Sequence, residues 1–478
     1  MPSTEAPGGT LRSSSSLVVL ISASVLFRAV PALIWRDLPI IRDEQSYAAL
    51  AGALVRGQGI VPTVLGWLWA PLYPAFLALH ERLFGTVLAA RATQVALSGL
   101  STLLVYRLGR RLGGRGVGLC AGWLYALEPT LIAFSHYLWT EHLYSLWLLL
   151  AVEGTLQART RKAWWAIRPG IAMGLAALTR GVGTYAAPFL LPALLWGRLH
   201  RSAVWAQAGF VCLGVAVFVL PYSAYVSRKF GGLILVDTSV SFNMWLGNNE
   251  FEPVTFDYGM GGDMMSEQDL ERLPGRPSCW AGLPVAEKSR CEVRNGLAFI
   301  GDHPLLFVRR IWTREAQTFN PSSFLLRNLR RGGYRGMPDW ARSALCVFVV
   351  ISELFVVGTA ALGAAGALGI CSRTIRPAPS VIDVDADQDQ KAALQATCWG
   401  ITLYHLAASG ALIGLSRFRL PLVPLWLPFS AFLLISPRQT LRAAFDGWRR
   451  SLFAAALLVL VMILSLTYVG RAFPALAH

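Results

Sequence analysis

Arg42, Asp43 and Glu44 stand side by side, and Tyr47 follows about one helical turn later. A carboxylate in such a group can take a proton from a hydroxyl or amine nucleophile, and a guanidinium beside it grips phosphate oxygens in a fork. The same residue types recur at the ends of later apolar runs. His136, Tyr137, Glu141 and His142 share the turn at 134–142, and Arg180 closes a run. Asn243, Asn248 and Asn249 come next, then Arg417 and Arg419 in Ser-Arg-Phe-Arg-Leu-Pro-Leu-Val-Pro. An acid with several arginines at one face of a bilayer suits a phosphorylated lipid. Each residue also has a structural use. Asp is a common helix N-cap, which fits Asp43, and Arg180, Arg417 and Arg419 are the type that anchors to headgroups. Glu128 and Glu353 fall inside apolar runs, where an acid needs a partner that the sequence does not name.

The elements that must position Asp43 are short. Tyr47, Leu50, Ala51, Leu54 and Val55 fall at i, i+3, i+4, i+7 and i+8, which predicts an amphipathic helix lying flat, stopped by Gly57 and Gly59. A turn rich in tryptophan, with Trp67 and Trp69, leads through Pro71-Leu72-Tyr73-Pro74 into a second apolar-striped helix ending at Gly85.

Composition sets these helices in a membrane protein. The hydrophobic set makes up 54% of the 478 residues before any of the 44 glycines is added, whereas soluble domains reach about 45–50% with glycine included. The net charge of +16 then belongs to loops facing anionic headgroups or a phosphate-bearing substrate, not to a nucleic-acid binder. The run from Leu17 to Trp35 is long enough to span and too long for a signal peptide, so it reads as a retained signal anchor in which Arg28 snorkels outward. Hydropathy gives eleven spans, at about 15–35, 86–108, 116–134, 139–157, 169–180, 183–197, 203–226, 343–370, 394–415, 418–437 and 451–472. The fifth and sixth are short enough to form one broken hairpin. Alternate loops are basic throughout: 107–115, 158–168, 198–202, 371–393 and 438–450. The excess of Lys and Arg puts these loops and the N-terminus in the cytoplasm and the 36–85 loop outside.

The chain divides into a transmembrane module over 1–227, an extracytoplasmic loop domain over 228–342 and a second transmembrane module over 343–478. The loop domain reads as mixed, with a β-like stretch at Leu233–Leu246, a patch rich in Gly, Met and acids at Tyr258–Asp269, and helices at about 284–300 and 304–318. Cys279 and Cys291 share this loop and are candidates for a disulfide. Cys120, Cys212, Cys346 and Cys398 sit singly in apolar runs as small core residues. Pro377–Gln390 is polar and acidic and reads as disordered.

Taken together these features resemble the GT-C glycosyltransferases, closest to the protein O-mannosyltransferase-like branch with its bacterial lipid A aminoarabinose transferases. The resemblance rests on the acidic pair after the first span, the Tyr three residues later, the two surface helices joined by an aromatic-proline turn, and the late Arg-Phe-Arg run. The stretches SHYLWTEHL, LTRGVGTYAAP, SFNMWLGNN and DHPLLFVRR add to it in order. It implies an all-α polytopic membrane protein of the GT-C fold with about eleven transmembrane helices and two juxtamembrane helices. It implies inverting transfer of a sugar from a polyprenyl-phosphate donor, such as undecaprenyl phosphate, to a lipid, glycan or protein acceptor at the cell envelope of a bacterial inner membrane. Asp43 then matches the catalytic base and Glu44 its neighbour. Arg417 and Arg419, with Arg180, would bind the donor phosphate, and Arg42, Tyr47, His136, Glu141 and Asn248 would line the substrate cavity. Some relatives carry an acid or Lys where this chain has Trp69 and Ala70, so no metal ligand is assigned and a divalent ion is left open. An O-antigen ligase or polymerase-type transferase is disfavoured because the large outer loop follows span seven and the acid follows span one. A lipid-carrier transporter or flippase would place polar residues at midplane, often in repeats.

Overall fold

Long apolar runs become helices because a helix is one of few forms that satisfies every backbone N–H and C=O without water. The computed structural model describes residues 8–63, 66–196, 198, 202–249, 279, 283–321, 323–373 and 382–467. Among these the secondary structure is helical, with no strand.

Helix α1 runs Gly8–Ile34. The two short helices expected around the tryptophan turn are α2, Asp43–Val55, and α3, Leu72–Phe84. Gly85 ends α3 in the left-handed conformation at φ 72°, where glycine has no Cβ penalty. Helix α4, Ala90–Leu127, is two helices in line, broken where Gly113 and Gly114 leave helical geometry. Glu128 caps α5, Pro129–Phe134, by accepting from the Leu131 N–H at 2.5 Å. Helices α6, Thr140–Ala158, and α7, Ile167–Thr179, follow, then 3-10 turns and the short α8, Leu191–Leu195. Helix α9 is Ser202–Lys229. The large loop contributes α10, Ser239–Gly247, α11, Val285–Asp302, α12, Pro304–Phe319, and α13, Phe324–Arg330. The chain continues with α14, Asp339–Arg373, α15, Ile382–Ala411, α16, Val423–Ile435, α17, Pro437–Ala444, and α18, Trp448–Leu466.

Helix α4 packs on α1, α6 and α16, and α14 packs on α16, α17 and α18. Small residues let the backbones meet. A Cβ on Gly170 of α7 would clash with the Val211 carbonyl oxygen of α9, and one on Gly363 of α14 would clash with that of Phe429 in α16. By length and composition, five helical stretches among the described residues can cross a membrane: Ser15–Ile34, Val87–Leu127, Ser202–Lys229, Asp339–Ile370 and Trp448–Leu466.

Four expectations change. The sixth span, 183–197, is no single helix but 3-10 turns followed by α8, with Pro188 and Pro192 breaking its ladder. The β-like stretch is irregular from Leu233 to Thr238 and helical from Ser239, because packing of Phe242 on Trp67 outweighs strand propensity. The Tyr258–Asp269 patch lies outside the described residues, as does 377–381, but 382–390 is the start of α15 rather than disordered. Arg28 does not snorkel. It is fully buried, donating to the Tyr125 carbonyl at 2.8 Å and to the Ser24 hydroxyl at 2.9 Å.

Candidate active site

Helix α2 begins at an unusual joint. Arg42, directly before it, has φ 56°, the one positive value outside glycine among the described residues. A bulky side chain held there is strained, and the strain sits at the residue that presents Asp43. Asp43 is therefore the first helical residue and not the cap. Its carboxylate accepts from Arg417 at 2.8 Å, and both side chains keep about one sixth of their surface open (16% and 17%). Glu141, in the first turn of α6, accepts from Arg180 at 2.6 Å, and Arg417 Nε lies 3.9 Å from the same carboxylate. Two acids and two arginines thus alternate in one cluster. Arg417 is also seated 4.3 Å over the Trp139 ring, and Arg180 4.8 Å over Phe418. Burial alone would lower the pKa of Arg417, but Asp43 and Glu141 outweigh it and raise the value, so the guanidinium keeps its charge.

This cluster lines an open cleft with about 1370 Å³ of space free of protein atoms. Tyr47, Trp67 and Trp69 form one wall, and Phe242, Asn243 and Leu246 of α10 continue it. Tyr144 and His405 lie on another side, their O and Nε2 atoms 2.7 Å apart. His405 Nδ1 lies 2.8 Å from the Ile401 carbonyl, so it carries the proton and Tyr144 donates to Nε2. Asp237 is a third acid at the cleft. Burial pushes its pKa up to about 6, against hydrogen bonds from Ser239 and the Gly181 N–H.

Of the polar and charged candidates singled out in the sequence, Asp43, Tyr47, Glu141, Arg180, Asn243 and Arg417 line the cleft together. The other candidates do not. Glu44 is 1% exposed and accepts from the backbone N–H groups of Ile41 at 2.9 Å and Leu138 at 2.7 Å. It ties the first loop to the α5–α6 turn, and burial raises its pKa to about 6 despite both bonds. Arg419 is 2% exposed, pairs with Glu353, and donates to the carbonyls of Thr318 and Asn320 at 2.6 and 2.8 Å. That pair supplies the partner the sequence could not name for Glu353. His136 meets the Tyr334 hydroxyl at 3.1 Å, and burial lowers its pKa to about 3. Asn248 donates to the Met244 and Ala411 carbonyls, both at 2.9 Å, and accepts from Arg314. Arg42 is not among the cleft residues. Cys279 and Cys291 are disulfide-bonded, with Cα atoms 5.5 Å apart. Sequence reasoning did not place Asp237, Tyr144 or His405 in the cleft. For Asp237 the available signal was its position just before Ser239, at a helix start.

Residues 69–225 match the family Dolichyl-phosphate-mannose-protein mannosyltransferase. No curated protein matches the chain. In three dimensions it is similar to the apo oligosaccharyltransferase of Archaeoglobus fulgidus, with 16% identity and a TM-score of 0.51, over 98% of this chain and 56% of that one. The chain has the GT-C fold. The archaeal oligosaccharyltransferase AglB from the same organism, in complex with an inhibitory peptide and a dolichol-phosphate, aligns at 16% identity and TM-score 0.48 over 98% of this chain and 56% of its own. ArnT from Cupriavidus metallidurans bound to undecaprenyl phosphate aligns at 14% identity and TM-score 0.36, over 87% of this chain and 77% of its own. The chain spans 56% of the length of that oligosaccharyltransferase; the family matched over 69–225 and the protein similar in fold are glycosyltransferases.

A divalent ion does not fit this cleft as built. Asp43 and Glu141 are each engaged by an arginine, and among the described residues no three His, Cys, Asp or Glu side chains gather into a ligand set.

Proposed function

We propose that the chain is a membrane glycosyltransferase that moves a sugar from a polyprenyl-phosphate donor, undecaprenyl phosphate in a bacterial inner membrane, to an extracytoplasmic acceptor with inversion. The observation that carries this reading is the Asp43–Arg417 pair, 2.8 Å apart at an open cleft beside Glu141–Arg180. The basic loops support an N-terminus in the cytoplasm and a cleft facing outward.

The chemistry follows from the groups present. A phosphate ester leaves readily once its charge is met, so the site needs cations more than a general acid. The donor phosphate takes Arg417 and Arg180 from their carboxylates. Asp43, released, accepts the proton of the acceptor hydroxyl or amine. The acceptor atom bonds to the anomeric carbon as the carbon–oxygen bond to phosphate breaks, and the electron pair leaves with the polyprenyl phosphate. Attack opposite the leaving group inverts the centre, through an oxocarbenium-like state as in glycoside hydrolysis. Holding both substrates in line in one cleft supplies about 7–11 kcal/mol in well-oriented systems.

The test is release of polyprenyl phosphate from a panel of polyprenyl-phosphate sugars, with wild type beside Asp43→Asn. Turnover of one donor, lost in the folded variant, supports the reading and names the sugar. Equal turnover by both removes Asp43 as the base. No turnover of any donor overturns the transferase reading.

A further inference from the structure

One wall of the cleft is a run of aromatic rings that the phosphate and proton chemistry above leaves unused. It starts at Tyr47, one turn after Asp43 on α2. It passes to Trp69, then Trp67, then Phe242 of α10, with ring centroids 5.1, 6.1 and 4.2 Å apart at successive steps. All four rings line the cleft, and Asn243 lines it beside Phe242. Trp67 is only 8% exposed, yet its indole N–H has no acceptor, and neither has that of Trp69. A buried donor left without a partner costs about 1–3 kcal/mol and calls for an explanation. Phenylalanine would fill the same apolar space without that cost.

We infer that this strip is a binding subsite for a chain of sugar rings, extending from the reacting centre at Asp43 toward α10. The inference rests on the transferase reading and deepens it: the substrate that lies here is an oligosaccharide, not a single sugar or a peptide. Sugar rings present an apolar C–H face, which suits the electron-rich faces of aromatic rings, and an edge of hydroxyl oxygens, which suits the Asn243 amide and the two unpartnered indole donors buried in the wall. A single transferred sugar needs one platform. The wall extending from the catalytic carboxylate offers more than one: Trp69 is half-buried at the cleft, and Tyr47, Trp67 and Phe242 continue the wall as buried rings.

The glycan can be the acceptor or can arrive on the lipid carrier, and one experiment separates these. The full chain in lipid nanodiscs is titrated by calorimetry with free linear gluco- and manno-oligosaccharides of increasing length, and in parallel with polyprenyl phosphate. Affinity is expected to rise with ring number. Trp67→Ala should weaken oligosaccharide binding about tenfold, the scale of a lost aromatic contact together with a hydrogen bond. Trp67→Phe, which keeps the ring face, should weaken it about threefold, as for one hydrogen bond. Additive binding of oligosaccharide and polyprenyl phosphate assigns the strip to the acceptor. Competition with a lipid-linked saccharide, but not with bare polyprenyl phosphate, assigns it to the donor glycan. If wild type binds polyprenyl phosphate but shows no dependence on ring number, or if both Trp67 variants bind like wild type, the subsite is wrong and the transferase reading stands. If polyprenyl phosphate itself does not bind, the transferase reading fails with it.

Discussion

Arg417 and Arg419 lie two residues apart, and each pairs with an acid, but the two pairs are opposites. Arg417 meets Asp43 at the cleft, with both side chains about one sixth exposed. Arg419 meets Glu353 in the interior, exposed by 2% and 6%, and two carbonyls accept from its other terminal nitrogen. Ser416–Arg419 is a 3-10 turn. At three residues per turn, positions two apart point about 240° around the axis, so one motif faces two environments. The difference lies in exchangeability. An ion pair open to a cleft lies nearer the value of an exposed pair, about 0–1 kcal/mol, and can give its arginine to a ligand. A buried pair cannot be broken without leaving a charge unpaired.

The largest expected effects break each pair in turn. Asp43→Asn should lower turnover by about 10²–10⁴-fold, the usual contribution of a general base, with little change in melting temperature. Arg419→Ala should instead destabilise the fold by about 3–5 kcal/mol, because Glu353 is left buried and unpaired. The combination Arg419→Met with Glu353→Leu should recover most of that loss. Thermal melts and turnover measured on the same preparations separate the two outcomes. If Asp43→Asn proves as destabilising as Arg419→Ala, the contrast between the pairs is lost. Arg417→Lys keeps the charge but loses the planar fork that can hold phosphate at two oxygens, and should reduce turnover by about 10–100-fold, below the full loss of an electrostatic contact.

Much of this contrast was hidden in the sequence for a geometric reason. Periodicity located α2 and α3, because an apolar stripe and its glycine stops are local. Residue types near one membrane face located Asp43, Tyr47, Glu141, Arg180 and Arg417. What local pattern cannot give is the side on which a neighbouring residue points. Glu44 is next to Asp43 yet turns about 100° around the helix, back to the Leu138 N–H. Glu353 finds Arg419 66 residues away and Thr130 223 residues away, and neither could be named from spacing. The aromatic wall needed Trp67 of the first outer loop to meet Phe242 of the large loop. Its β-branched and aromatic residues favoured a strand where packing made a helix.

A smaller effect concerns Glu44, which extends the buried side of the comparison to the acid beside Asp43. Its folded pKa of about 6 lies above the ordinary 4.5 because burial outweighs its two backbone bonds. The folded state therefore holds the proton more tightly than the unfolded chain. The resulting stability is complete below about pH 4.5 and is lost as pH rises through about 6, by roughly 2 kcal/mol. Melts across this window should fall with pH in wild type, and Glu44→Gln should flatten that part of the profile. A slope unchanged in the variant would assign it to another group.

The smallest effect tests exchangeability directly. If Arg417 must leave Asp43 to hold a lipid phosphate, the intact ion pair competes with the ligand. Removing the carboxylate's charge should then tighten binding. Asp43→Asn, inactive in turnover, is expected to bind polyprenyl phosphate up to about fivefold more tightly than wild type, the most a partly exposed ion pair of about 1 kcal/mol can withhold. Glu353→Gln, at the buried pair, should leave that affinity unchanged, because Arg419 has no open side to offer. Titration of polyprenyl phosphate against wild type and both variants reads the difference. The gain should shrink as salt is raised, since salt already weakens the competing pair. Weaker binding by Asp43→Asn would mean that Asp43 orients Arg417 toward the phosphate rather than withholding it, and the cleft pair would then be a fixed support, as the buried pair is.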